Sequence, residues 1–153
     1  MIIRSFSKLF HLSSYELLLF LEANFFLTLA SIVRIVVPLR WYAPFLGKHM
    51  NINLEEVDEN LKSELLTIDK SIKRGCKYLP FECKCLVQAI AGKAMLRLRR
   101  ICSTVYLGVA KDEQDKLIAH AWVRVGDIHV TGGGGRKKYN VISTFADGNN
   151  RLH

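Results

Sequence analysis

A chain of 153 residues, half of them apolar, is the size of one domain and can bury a core of its own, which excludes a second enzyme domain. With 24% charged and 10% aromatic residues it is far from the composition of a disordered chain. The 22 Lys and Arg against 14 Asp and Glu leave a net charge of +8, which favours acidic partners; the basic residues are dispersed and no finger, RNP-like or basic-zipper pattern accompanies them, so nucleic acid is not an expected partner.

Met1 to Phe10 lacks the order of basic, apolar and small residues that marks a signal peptide, so a reducing cytoplasm is the expected location. From Tyr15 to Val37 the chain is dominated by Leu, Phe, Ala, Ile and Val, but Glu16, Glu22 and Arg34 interrupt it. The uncharged part, Ala23 to Val33, is shorter than the roughly 20 residues a membrane helix needs. A buried or partner-facing helix is predicted, capped by Ser13 or Ser14, stopped by Pro38, and either continuous or broken near Asn24. Apolar residues around more than one face call for cover from a partner protein, and membrane contact is not expected.

Pro38 to Asn53 reads as a connector and closes an apolar N-terminal helical region, residues 1–53; the remainder, 54–153, is read as the core. Leu54 to Arg74 has helical spacing at Val57, Leu61, Leu65, Ile68 and Ile72, with Gly75 as its expected cap. A further helix spans Glu82 to Arg100 after Pro80. The period then changes, with strands at Thr104 to Val109, Ile118 to Val125, Ile128 to Thr131 and Tyr139 to Phe145, the middle pair joined by a Gly126-Asp127 turn. Helices first and an antiparallel hairpin sheet afterwards make the fold class α+β.

Four cysteines are present: Cys76, Cys83, Cys85 and Cys102. Cys83-Lys84-Cys85 has one intervening residue, and no second ligand pair follows, so zinc is not expected. Cys85 falls in the first turn of its helix, where unpaired N–H groups and the helix dipole favour negative charge on sulfur and aim donors at a developing oxyanion. Cys83 is the competing thiol, earlier and less securely helical, and a small buried hydrophobe is the bland reading of either.

Of five histidines, His11, His49 and His153 lie in terminal or connector regions, whereas His120 and His129 lie on the hairpin. His120, in Ala119-His120-Ala121-Trp122-Val123, is the candidate base on a rigid strand, against the alternative of a hydrogen-bonded core histidine. A third group must accept the other imidazole N–H. A two-residue turn pairs Val125 with Ile128 and Trp122 with Thr131, putting His120, Trp122, His129 and Thr131 on one face. Asp127 has the better chemistry but sits at the turn, on the order of 16 Å from His120 at about 3.3 Å per residue; Thr131 has the better position.

Cys85-Leu86-Val87-Gln88-Ala89, Met95-Leu96-Arg97-Leu98-Arg99-Arg100, Leu107-Gly108-Val109 and Ala119-His120-Ala121-Trp122-Val123, in that order, resemble the lasso peptide biosynthesis B proteins. The likeness is to the stand-alone peptidase half of a split B protein, and it extends to Pro38-Leu39-Arg40, Val130-Thr131-Gly132-Gly133 and the Tyr139 to Phe145 tail. The resemblance implies a transglutaminase-like, papain-like cysteine peptidase core over 54–153 that removes the leader of a lasso precursor. A separate ATP-using cyclase similar to asparagine synthetase then closes the macrolactam, and a small recognition-element protein holds the leader. The family's nucleophile and base carry over onto Cys85 and His120. Its acidic third member falls near Thr131, so Asp127 serves by another path or the enzyme is a dyad. No metal or nucleotide cofactor is implied for the peptidase. A non-catalytic adaptor and an acyl transferase on the same fold are the rival readings.

Overall fold

The computed structural model describes residues 12–50, 52 and 56–148. The order is helices first and sheet second, an α+β architecture. The candidates His11 and His153, the Met1 to Phe10 segment and the expected start of the second helix at Leu54 lie outside the described residues.

Helix α1, Ser14–Val36, is continuous through Asn24. Ser13 is its cap: the Ser13 hydroxyl accepts from the Glu16 N–H at 3.2 Å and the Glu16 carboxylate accepts from the Ser13 N–H at 3.1 Å. Leu19, Ala23, Leu27 and Ala30 form one buried stripe against the rest of the core. Each large apolar side chain buried there stabilises by about 1.5–3 kcal/mol. The outer face is left open, with Leu18, Leu21, Phe25, Leu29, Ile32 and Ile35 exposed. By length and composition α1 could cross a membrane, but its inner face is packed in this core.

The expected connector after Pro38 instead contains helix α2, Leu39–Leu46, and the two-residue strand β1, Lys48–His49. Pro38 ends α1 because it cannot donate to the preceding turn, yet its fixed φ of −63° suits the start of α2, which is anchored by buried Leu46.

Helix α3, Glu59–Tyr78, begins later and ends later than its apolar spacing suggests. Asp58 caps it, accepting from the Leu61 N–H at 2.7 Å. Gly75 is not its end. It lies inside the helix at the crossing with α1, where a Cβ would sit 2.8 Å from Leu27 Cδ1 and 3.2 Å from Asn24 Oδ1. The missing side chain allows two helices to approach closely, a tertiary reason for a glycine that looks like a cap in the sequence.

Helix α4, Cys85–Leu98, packs across the sheet formed by β2 (Thr104–Lys111), β3 (Leu117–Val125), β4 (Ile128–Thr131) and β5 (Asn140–Ala146) together with β1. All pairs are antiparallel, in the order β1-β5-β2-β3-β4. Val105, Ala121, Val123 and Val125 belong to the core shared with the helices. By strand alternation, His120, Trp122 and Arg124 project to the other face.

The C-terminal half of α4 is clamped to the sheet by charge. Lys93, 0% exposed, donates to Asp147 Oδ2 at 2.6 Å and to the Ser103 carbonyl at 2.7 Å. Arg97 adds two bonds to Asp147 Oδ1, at 2.9 and 3.0 Å. Burial pushes the Lys93 ammonium down in pKa, with Asp147 opposing it. For Asp147 burial works the other way but is outweighed by Lys93, the Ser103 N–H and Arg97, which hold its carboxyl below the usual range. Arg99 forms a bidentate pair with Glu22 of α1, at 2.6 and 2.9 Å. The arginine-rich helix end is thus spent largely on holding helices and sheet together.

Candidate functional site

Cys85 is the first residue of α4 and Lys84 its N-cap, placing the thiol in the opening turn as its sequence position suggests. Lys84 makes no side-chain capping bond, so no cap side chain occupies the N–H groups of that turn. Gln88, on the next turn, donates to the Cys83 carbonyl at 2.8 Å and steadies the chain entering the helix.

None of the four cysteines is in a disulfide. Burial and the neighbouring Cys83 thiol push the Cys76 thiol up to about 12. Cys83 therefore precedes the helix and is engaged with Cys76, whereas Cys85 stands on the helix itself. That distinguishes the two candidate thiols.

His120 lies on β3 opposite Gly108 of β2. Its ring stacks on Trp122, with centroids 5.7 Å apart, and on Tyr139, at 4.9 Å. Trp122 in turn stacks on Tyr106 at 5.5 Å and an interplanar angle of 4°. His120 Nε2 lies 2.7 Å from the Gly132 carbonyl oxygen. Because β4 ends at Thr131, the imidazole reaches along the open edge of β3 to the first residue beyond it. His129 is a poorer candidate. It pairs with Arg124, and burial together with Arg136 and Arg124 pushes its pKa below the usual imidazole value.

The third-member candidates end up elsewhere. Asp127 stays at the turn, its side chain 103% exposed and its carboxylate 3.4 Å from Arg124, so it is not brought to His120. Thr131 does not share a face with His120 either. The turn pairs Val125 with Ile128 and Arg124 with His129 as expected, but the register then shifts, so that Val123, not Trp122, pairs with Thr131. Val130 is the extra residue of this bulge. The shift buries Val130 and Thr131 together, at 0% and 2% exposure, where strict alternation would turn one of them outward. Thr131 consequently faces the core beside Gly92 of α4, where a Cβ on Gly92 would lie 2.9 Å from Thr131 Cγ2. Gly92 is two turns from Cys85, about 10 Å along the axis at about 1.5 Å per residue.

Helix α4 packs on β3, the strand that carries His120, but His120 projects from the face of β3 opposite the one shared with the helices. No hydrogen bond joins the two side chains among the described residues. No group of three or more His, Cys, Asp or Glu suited to a metal occurs among the described residues. The contact made by Gly132 escaped the sequence because it uses a backbone atom, which no residue type advertises.

The sequence model of the Transglutaminase-like superfamily matches residues 33–144, most of the chain and every element from the end of α1 into β5. No curated protein and no solved structure gives a significant match.

Proposed function

The chain belongs to the transglutaminase-like superfamily, and from that membership we propose that it is a cysteine peptidase that removes the leader from a lasso peptide precursor. The observation that carries the proposal is a thiol on the opening residue of α4, in a turn that no cap side chain occupies. His120, on the strand against which that helix packs but projecting from its other face, is the imidazole that the reading requires to reach it. The lasso assignment adds the ordered resemblance of the segments around Cys85, Arg97 and His120 to the split B proteins.

In this reading His120 takes the proton of Cys85 and the thiolate attacks the carbonyl at the leader–core junction. The N–H groups of the first turn of α4, unoccupied by a cap side chain, hold the tetrahedral oxyanion. His120 then gives its proton to the departing core amine, leaving a thioester between leader and Cys85. Water, deprotonated by the same imidazole, hydrolyses the thioester and releases a leader with a free carboxylate.

The precursor leader is held by a recognition-element protein, and a cyclase resembling asparagine synthetase takes the freed amine. The exposed apolar stripe of α1, together with Trp41 of α2, 70% exposed, supports the need for a protein partner. A cytoplasmic setting completes the proposal.

The test is mass spectrometry of a lasso precursor incubated with this chain, the recognition-element protein and either wild-type or Cys85→Ala protein. Hydrolysis at one junction by the wild type alone is the expected result. Cleavage that survives Cys85→Ala supports an adaptor role instead, and a leader joined to an amine supports acyl transfer.

A further inference from the structure

We propose that the backbone carbonyl of Gly132 takes the place of a side-chain carboxylate in orienting His120, and so makes Nδ1 the nitrogen that receives the thiol proton. The inference rests on the reading of His120 as the base. A carbonyl oxygen only accepts, so at 2.7 Å from it Nε2 must carry the hydrogen. The neutral imidazole then has its lone pair on Nδ1.

The backbone is shaped for this contact. Gly132 has φ +65°, in the left-handed region, and a Cβ there would lie 2.5 Å from the Ala121 carbonyl oxygen and 2.9 Å from Trp122 Cβ. Only glycine lets the chain leave β4 so close to β3 that its carbonyl meets a ring on that strand. The next peptide is tied down, since Arg136 donates to the Gly133 carbonyl at 3.0 Å. The rings of Trp122 and Tyr139 both stack on the imidazole and limit its movement, leaving the hydrogen bond to set its rotation. The candidate side chains are committed elsewhere, Asp127 to Arg124 and Thr131 to the core. Gly132 is therefore a positioning residue, acting through His120 and not on substrate.

Nitrogen-15 NMR of the full chain with labelled histidine, at a pH where the imidazole is neutral, reads the tautomer directly, with His120→Gln identifying the signals. The expected result is a predominant Nε2–H tautomer at His120, unchanged in Cys85→Ala. A predominant Nδ1–H form, or the averaged shifts of a free imidazole, would overturn the proposal. Gly132→Ala moves the carbonyl and is expected to bring His120 towards that averaged state. With precursor as substrate it is expected to lower kcat on the order of 10²-fold while KM changes by less than about twofold. An unmoved tautomer and an unmoved kcat in a folded Gly132→Ala protein would also overturn it. If that variant does not fold, the wild-type spectrum still decides. Cleavage that persists in Cys85→Ala would sink the peptidase reading and leave the tautomer result standing, so the two failures are separable.

Discussion

Helix α4 has two ends built on opposite principles. At its C-terminal end Lys93, Arg97 and Arg99 are all paired, with Asp147 and Glu22 tying the helix to the sheet and to α1. At its N-terminal end Cys85 stands in a turn with no capping side chain and no acidic residue. The crowded end supplies rigidity, and the open end, on the proposed function, retains the donors and the thiol. If this division holds, substitutions at one end should cost stability and at the other activity.

The largest expected effect is at the open end. Cys85→Ala should lower precursor cleavage by at least about 10³-fold, with a thermal transition unchanged within about 2 °C. A comparable fall in melting temperature would break the comparison.

At the clamped end Asp147→Ala leaves Lys93 buried without its counter-charge and should destabilise by about 3–5 kcal/mol, read by urea unfolding. The same carboxylate predicts an acid limb. Its folded pKa lies below the ordinary 3.8, so the folded state binds a proton less readily than the unfolded chain. Its stabilisation is complete above the ordinary value and is lost as pH falls below it through the lowered folded value. Melting temperatures measured on acidification should fall in that window in the wild type, and less in Asp147→Asn.

A smaller effect belongs to the second clamp. Glu22→Gln removes one charge of a pair whose members are each 18% exposed and should cost about 1–3 kcal/mol by the same unfolding measurement. The smallest stability effect should come from the outer face of α1. Phe25→Ser and Ile32→Ser change exposed side chains and should alter unfolding free energy by no more than about 0.5 kcal/mol. They should nevertheless weaken capture by the recognition-element protein in a pull-down, and unchanged capture would remove that face from the proposed partner surface.

Much of the fold could be read from the residue order. Ser13 and Glu16 announce the start of α1, the 3.6-residue spacing of Leu65, Ile68 and Ile72 announces α3, and Gly126-Asp127 announces the β3–β4 turn. These are local signals, in which neighbouring residues satisfy one another's hydrogen bonds or share one face. Helix α2 was hidden because Pro38, Pro44 and Gly47 look like punctuation, although proline also suits a helix start. Of the candidate site, Cys85 at the helix opening and His120 on the strand were legible; the bulge at Val130 and the fate of Asp127 were not.

What the sequence determined by itself was the α+β order of elements and the placing of a candidate thiol at a helix opening and a candidate imidazole on a strand, because periodicity and residue type are local properties. Only the tertiary structure decided that Gly75 is a helix crossing, that the arginines are clamps, and that Gly132 offers a carbonyl to His120. Each of these depends on atoms distant in the chain meeting at contact distance, and a backbone oxygen carries no mark in the sequence of what it will meet.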